Sequence, residues 1–309
     1  MPNHYHFKFA LLISIFCLTY LLWISYDHLF DRNLHFIFCD VGQGDAILMQ
    51  IGNWQMLVDG GPPGRAALDC LHQHLPWWDK TLEYMVATHP DADHVGGLDE
   101  VLRSYKVLNV LVNGDNKQTA VFEGFNQLLQ AERKQGMKLT SVAQGDHLQP
   151  VENLTINILS PRERKRVTNP LNQALSENML QDKKLTNTSQ EIDTNARSIA
   201  LKVDYNQVSV LLMGDLPKEG EQALCQSGLL ERVEILKIGH HGSKTSTDPC
   251  LIMRTLPEIS IVSVGKNNRF GHPSPEVEAR LLSSGSQIMR TDQLGTIELV
   301  TNGQRVRVE

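Results

Sequence analysis

Residues 88 to 97 read THPDADHVGG and place two histidines and two aspartates within six positions. This crowding constrains the fold more than any other feature of the chain. Two unpaired carboxylates so close together repel each other and resist burial. The loop therefore has to lie in water or around a cation. The preceding apolar run, Leu82 to Ala87, reads as a strand ending at Thr88, so His89 and Asp91, two positions apart in extended backbone, point to one side. Asp93 and His94 occupy the turn into a following helix and face the same space from another direction. One loop thus offers two pairs of ligands, which suits two adjacent cations better than one. Such a site, its ions roughly 3.5 to 4 Å apart, activates a water as nucleophile and clamps the attacking and leaving oxygens of a phosphoryl group. Gly96 and Gly97 remove side chains where helix, metal and substrate approach closely. A capped helix start with incidental histidines accounts for Asp91 or Asp93 but not for all four residues.

A binuclear site needs further ligands, and two later stretches offer them at strand ends: LLMGD with Asp215, and LKIGHHGS with His240 and His241. Asp215 could bridge both ions. At HHGS one histidine ligates while the other contacts substrate or shuttles a proton, and either could take either part. A Gly-Asp after an apolar strand carries little weight alone, since turns favour Asp for their own reasons. The combination of the three clusters carries the argument.

Around these clusters the chain alternates strands and helices. Residues 35 to 61 alternate apolar and polar positions with turn signals at GQGD and GN, which predicts a β meander. A helix opens at HVGGLDEVLRSY, followed by a strand at VLNVLVNG, an amphipathic helix closed by Gly136, and a strand at LTINILSP. Residues 162 to 196 are polar, with the basic run Arg162, Arg164, Lys165 and Arg166 at the front, and are expected to be an exposed, flexible insertion. The basic run reads as solvated surface. A hairpin, a helix, the strands entering HHGS and VSVG, another helix and a final meander with an Asn-Gly turn complete the pattern. Each half mixes strands with helices and delivers acid and imidazole groups at strand ends. This predicts an α/β four-layer sandwich with the site between two sheets.

The 309 residues suffice for such a core, with 41% hydrophobic content. A net charge of −6 argues against a generic nucleic-acid coat, although a metal centre or local basic patch could still hold phosphate. Five irregularly spaced cysteines without C-x-x-C are expected to be buried thiols, with one disulfide possible if the domain is extracytoplasmic. Phe9 to Tyr26 carries no charge and would be about 27 Å long as a helix. No small-x-small cleavage site follows it, and Trp23 and Tyr26 suit a membrane interface, so residues 1–30 are expected to be an uncleaved single-pass anchor. The weak charge asymmetry around it directs residues 31–309 outward from the cell membrane.

The HPDADH loop, LVDGG at Asp59, LLMGD and GHHGS resemble the ordered motifs of the metallo-β-lactamase superfamily. FCDVGQGD, NARS, GHHGS, FGHP and RTDQLG together resemble the C-terminal hydrolase domain of ComEC-type competence proteins, over roughly residues 34 to 309. The resemblance implies a metallo-β-lactamase-like αβ/βα sandwich. It implies that His89, Asp91 and Asp215 serve one divalent ion, and that Asp93, His94, Asp215 and His240 or His241 serve the other, with Asp59 supporting the loop from behind. Hydrolases of the superfamily commonly have histidine where this chain has Asp91, and a further histidine before the LLMGD strand. Asn195 and Ser198 occupy that second region here. The more oxygen-rich donor set shifts preference from zinc toward manganese or magnesium without fixing the metal.

His272 of FGHP takes a place where the resemblance implies a substrate-facing group, able to bind phosphate or protonate a leaving oxygen; a histidine merely held by neighbouring turns is the alternative. Asp40, Gln43 and Asp45 of CDVGQGD either shape the meander or line the cleft. The function expected from this pattern is a membrane-anchored, metal-dependent phosphodiesterase, a nuclease linked to DNA uptake, with Asp93, His240, His241 and His272 as catalytic candidates. An envelope phosphoesterase acting on a small headgroup, or a non-catalytic subunit of an uptake or secretion assembly, are the competing expectations. One hydrophobic span cannot form a DNA channel, so a separate channel protein is an expected partner. The oxygen-rich donor set and the HHGS context disfavour β-lactam hydrolysis.

Overall fold

A computed structural model of the chain describes residues 8–20, 31–167 and 193–309. Residues 8–20 are helical. The expected membrane segment runs on to Tyr26, outside the described residues. Among the described residues no helix is long and apolar enough to cross a membrane.

Among the described residues, fifteen strands form two sheets. β1 (Leu34–Phe38), β2 (Ile47–Ile51), β3 (Trp54–Val58), β4 (Thr81–Ala87), β5 (Lys106–Val112) and β6 (Lys138–Ser141) are followed by β7 (His147–Val151), β8 (Leu154–Ser160), β9 (Ala200–Tyr205) and β10 (Val208–Leu212). Then come β11 (Ile235–Lys237), β12 (Ile259–Val262), β13 (Gln287–Arg290), β14 (Ile297–Thr301) and β15 (Val306–Val308). The first sheet has the order β15-β14-β1-β2-β3-β4-β5-β6 and the second the order β13-β12-β11-β10-β9-β8-β7.

The period of two along each strand sends alternate side chains into different layers. In β1, Phe36 and Phe38 enter the core between the sheets, while Ile37 faces the other way. β10 repeats the pattern: Val208, Val210 and Leu212 pack between the sheets, and Leu211 faces outward. Outside the first sheet, helices Ala66–His74, Leu98–Ser104 and Ala120–Lys134 cover a second core through residues such as Leu71, Leu98 and Phe125. Outside the second sheet, helices Lys218–Ser227, Pro249–Thr255 and Pro275–Ser283 cover a third through Leu224, Leu251 and Leu281. Three apolar cores thus separate helices, sheet, sheet and helices. Strands buried on both faces read as nearly continuous apolar runs.

Three details differ from the sequence expectation. The C-terminal stretch is not one meander: β13 pairs in parallel with β12 in the second sheet, whereas β14 and β15 extend the first. The short helix Thr291–Leu294 links β13 to β14 along the chain. Four of the five cysteines are paired rather than thiols, as Cys39–Cys70 and Cys225–Cys250, and Cys17 is free and exposed. Each bridge ties an element to a helix distant in sequence, which irregular spacing conceals. Finally, Gly96 and Gly97 divide the expected helix into Ala92–Val95 and Leu98–Ser104. A Cβ on Gly97 would lie 2.1 Å from the Gly60 carbonyl oxygen and one on Gly96 2.4 Å from Pro63, so their neighbour is the LVDGGPP loop. Most of the expected insertion, residues 168–192, lies outside the described residues. In its described part, Arg164 pairs with Asp146 and Lys165 with Asp115.

Candidate metal centre

β3 and β4 run parallel, as do β10, β11 and β12, and the candidate residues follow their carboxyl ends. This is the edge at which α/β sheets commonly bind ligands. Asp59 follows β3, His89 to His94 follow β4, Asp215 follows β10, and His240 and His241 follow β11. Asp59, His240 and His241 all have left-handed backbone, with φ of 60°, 49° and 54°. Non-glycine residues hold that conformation only where their surroundings enforce it, often at functional sites. Asp45 is brought in by the GQGD loop. There a Cβ on Gly44 would lie 2.1 Å from the Asp93 carbonyl oxygen, so only glycine lets this loop rest on the HPDADH loop.

His89, His94, His241, Asp215, Asp59 and Asp45 are each at most 3% exposed. The hydrogen bonds behind them fix how the imidazoles face. His94 Nδ1 donates to Asp59 Oδ2 at 2.7 Å, and His241 Nδ1 donates to the Ser263 carbonyl at 2.9 Å. His89 Nδ1 donates to Thr88 Oγ1 at 3.0 Å, and that hydroxyl donates in turn to Asp59 Oδ2 at 2.7 Å. One carboxylate thereby orients two rings. All three Nε2 atoms turn inward, and all three are buried without a hydrogen-bond partner, as is Asp215 Oδ1. His94 Nε2 lies 3.2 Å from Asp215 Oδ1; His241 Nε2 lies 3.4 Å from Asp93 Oδ2 and 3.6 Å from Asp215 Oδ2; His89 Nε2 lies 3.9 Å from Asp215 Oδ2. Among the described residues His94 is shared by three donor groups, with His89 and Asp215, with Asp93 and His241, and with Asp45 and Asp59, and Asp45, Asp215 and His241 form a fourth. Buried orphan donors and acceptors of this kind are expensive unless an ion or water meets them.

The electrostatics point the same way. Burial works against a charged imidazole at His94, but Asp215 and Asp59 raise its pKa well above the ordinary value. Burial is likewise overcome at His241, where Asp215, Asp45 and Asp93 raise the pKa to about 9. Asp215 resists burial through His241, His94 and His89, which hold its carboxyl well below the usual range. At Asp93, burial is outweighed by His241 and His94, and the pKa falls to about 2. His89 is lowered by burial and by His94, which keeps its inward nitrogen free of a proton. Ionised carboxylates with imidazoles around them fit divalent cations, since cations can replace the protons on His94 and His241.

Not every expected residue joins this cluster. Both oxygens of Asp91 are engaged, Oδ2 by Lys117 Nζ at 2.6 Å and Oδ1 by the Thr194 hydroxyl at 2.6 Å. His240 sits at the rim, 28% exposed, with Nε2 3.7 Å from Asp215 Oδ2. His272 lies further out, its ring 5.9 Å from that of His240. Ser198 supports the Asp215 turn, its hydroxyl accepting the Asp215 N–H at 3.2 Å. Sequence reasoning missed Lys237, whose side chain is fully buried and donates to Asp45 Oδ2 at 2.8 Å. The available signal was a lysine inside the apolar run EILKIG, because a buried ammonium must find a carboxylate.

A fold of two sheets between helices, with an Asp and His cluster at the strand ends, defines a class. A model of the metallo-beta-lactamase superfamily matches residues 39–266, and the chain belongs to that superfamily. Within it the chain resembles ComEC-type competence proteins. It is 29% identical over 293 residues to ComE operon protein 3 of Bacillus subtilis, an overlap covering 84% of this chain and 33% of that protein. It is 25% identical to competence protein ComA of Neisseria gonorrhoeae, with 87% and 33% covered, and 27% identical to recombination protein 2 of Haemophilus influenzae, with 87% and 29% covered. The chain therefore spans about a third of the length of these relatives. Among solved structures, the metallo-beta-lactamase fold protein YhfI of Bacillus subtilis superposes with a TM-score of 0.55 at 10% identity, covering 88% of this chain and all of YhfI. CmlA, a diiron beta-hydroxylase of Streptomyces venezuelae, gives 0.50 at 12% identity, covering 84% and 53%. Both show the shared fold.

Proposed function

We propose that this chain is a metal-dependent phosphodiesterase, a nuclease that acts on DNA during uptake. The observation that carries the reading is the convergence of three unpartnered Nε2 atoms on Asp215. Asp93, His94, Asp215 and His241 hold one divalent ion, and His89 and Asp215 hold the second. Asp91 completes the second set only by releasing Lys117 and Thr194. Manganese, zinc or magnesium fits such mixed nitrogen and oxygen donors. Bound there, the ions supply Lewis-acid activation of water and neutralise charge on the phosphoryl group. His240 and His272 at the rim are placed to hold phosphate oxygens and to pass a proton to the leaving oxygen. Residues 9–26 anchor the chain in the membrane with the hydrolase domain outside, where the two disulfides persist. The names of its competence relatives support a place beside a separate DNA channel.

The purified full chain should cleave single-stranded DNA or a bis-aryl phosphate only with added divalent ion, and Asp215→Asn should abolish turnover. Cleavage that persists in excess chelator would overturn the scheme. A small-headgroup substrate is the second reading, favoured by the acidic net charge because a small headgroup needs no long basic groove. If headgroup esters turn over while polynucleotides neither turn over nor compete, that second reading replaces the first.

A further inference from the structure

At the mouth of the candidate metal centre, the loop after β12 presents an aromatic ring to solvent. Phe270 is 70% exposed, yet its ring stacks on His272 at 5.7 Å between centroids with a 26° interplanar angle. The rings of His272 and His240 form a T-shaped pair with centroids 5.9 Å apart, and His240 Nε2 lies 3.7 Å from Asp215 Oδ2. A continuous series of rings therefore leads from the ion-holding carboxylate to an open aromatic face.

The loop beneath Phe270 is fixed. Asn268 Oδ1 accepts the His272 N–H at 2.8 Å, and its amide donates to the carbonyls of His272 at 2.9 Å and Gly265 at 3.2 Å. An exposed phenylalanine held on such a scaffold keeps one face open, at the cost of leaving apolar area in water. Lys266 and Arg269 on the same loop are exposed and cationic. A planar platform beside flexible positive charges is the combination that binds single-stranded nucleic acid, with bases stacking on the ring and phosphates meeting the cations. A choline-type headgroup would instead call for several rings around its ammonium, without neighbouring lysine and arginine to repel it.

We infer that Phe270, backed by His272, is a nucleobase-stacking residue that positions a single strand so that an adjacent phosphate reaches the metal centre. This rests on the phosphodiesterase reading and deepens it, because stacking needs an unpaired base and so specifies a polynucleotide substrate. Phe270 acts on binding and takes no part in the chemical step.

The test uses the full chain with manganese, a thymidine oligomer, and the same oligomer with abasic positions. Stacking on an aromatic side chain contributes about 1–3 kcal/mol per base, so Phe270→Ala should raise KM for the intact oligomer on the order of tenfold to a hundredfold with kcat little changed. Phe270→Trp should restore KM, and Phe270→Ala should leave the abasic oligomer unaffected. A parallel binding measurement with a 2-aminopurine oligomer should show quenching with the native chain and not with Phe270→Ala. The inference is overturned if Phe270→Ala shifts KM less than twofold, or shifts it equally for intact and abasic strands. If the native chain cleaves no phosphodiester with any divalent ion, the function reading fails, and the quenching measurement alone still decides the role of Phe270.

Discussion

The Asp59 carboxylate accepts a hydrogen bond from His94 Nδ1 at 2.7 Å and, through the Thr88 hydroxyl, also orients His89. Its left-handed backbone at the end of β3 is what aims it at both rings. Carboxylates in this position fix the tautomer of a ligating histidine and raise its basicity, and losing one typically costs 10–100-fold in metal affinity. Asp59→Asn should therefore weaken divalent-metal binding by about that factor while the circular dichroism spectrum stays native. Competition with a fluorescent chelator measures it. Unchanged affinity would remove Asp59 from the centre.

Lys237 and Asp45 form an ion pair between the two sheets with no access to water. Burial opposes the charge on Asp45, but Lys237 and then His241 hold the carboxyl below its usual range. Removing one partner of a buried pair leaves an uncompensated charge and costs about 3–5 kcal/mol, whereas replacing both with apolar groups is far milder. Lys237→Met should lower the urea unfolding free energy of the metal-free chain by about that amount, and Asp45→Leu with Lys237→Met should recover most of it. Equal losses in the single and double variants would show that the pair contributes through packing alone.

Much of this architecture is legible from local signals. Strands β1 and β10 announce themselves because residues 36–38 and 210–212 are buried on both faces and apolar without a break. The site loop is legible because His89, Asp91, Asp93 and His94 are adjacent in sequence. What local reading misses is long-range pairing. That β13 and β14 belong to different sheets depends on partners far away in sequence. Likewise, Asp91 has the right spacing for a ligand, but Thr194 and Lys117 reach it from other loops. The choice between His240 and His241 depends on the Ser263 carbonyl and Asp45, which bury His241 and leave His240 at the rim.

The two disulfides join distant parts of the outer layers, Cys39 to Cys70 and Cys225 to Cys250, across 31 and 25 residues of sequence. Closing loops of that size constrains the unfolded chain, and each bridge contributes about 2–4 kcal/mol. Thiol titration of the oxidised, denatured chain should detect Cys17 alone. Reduction should expose the other four and lower the thermal midpoint. Free thiols at all positions in protein isolated from the cell would contradict an extracytoplasmic domain.

Metal loading and protonation compete at the same nitrogens. In the metal-free protein His94 and His241 have pKa values raised by the surrounding carboxylates, to about 9 for His241, so both carry protons at neutral pH. Ligation through Nε2 must displace one proton from each, while Nδ1 keeps its bond to Asp59 or Ser263. Metal affinity should therefore rise as pH increases from neutrality, with the His241 contribution levelling off above about 9. Calorimetry near pH 7.5, in buffers of differing ionisation enthalpy, should find about two protons released per loaded site. The sign for stability is opposite. A group whose folded pKa is raised stabilises fully below its unfolded value, about 6.5 for histidine, and loses that contribution as pH rises through the folded value. The metal-free chain should thus lose thermal stability between about pH 6.5 and 9, and the loaded chain should not. Metal affinity that stays flat over this interval, with no proton release, would exclude His94 and His241 as ligands.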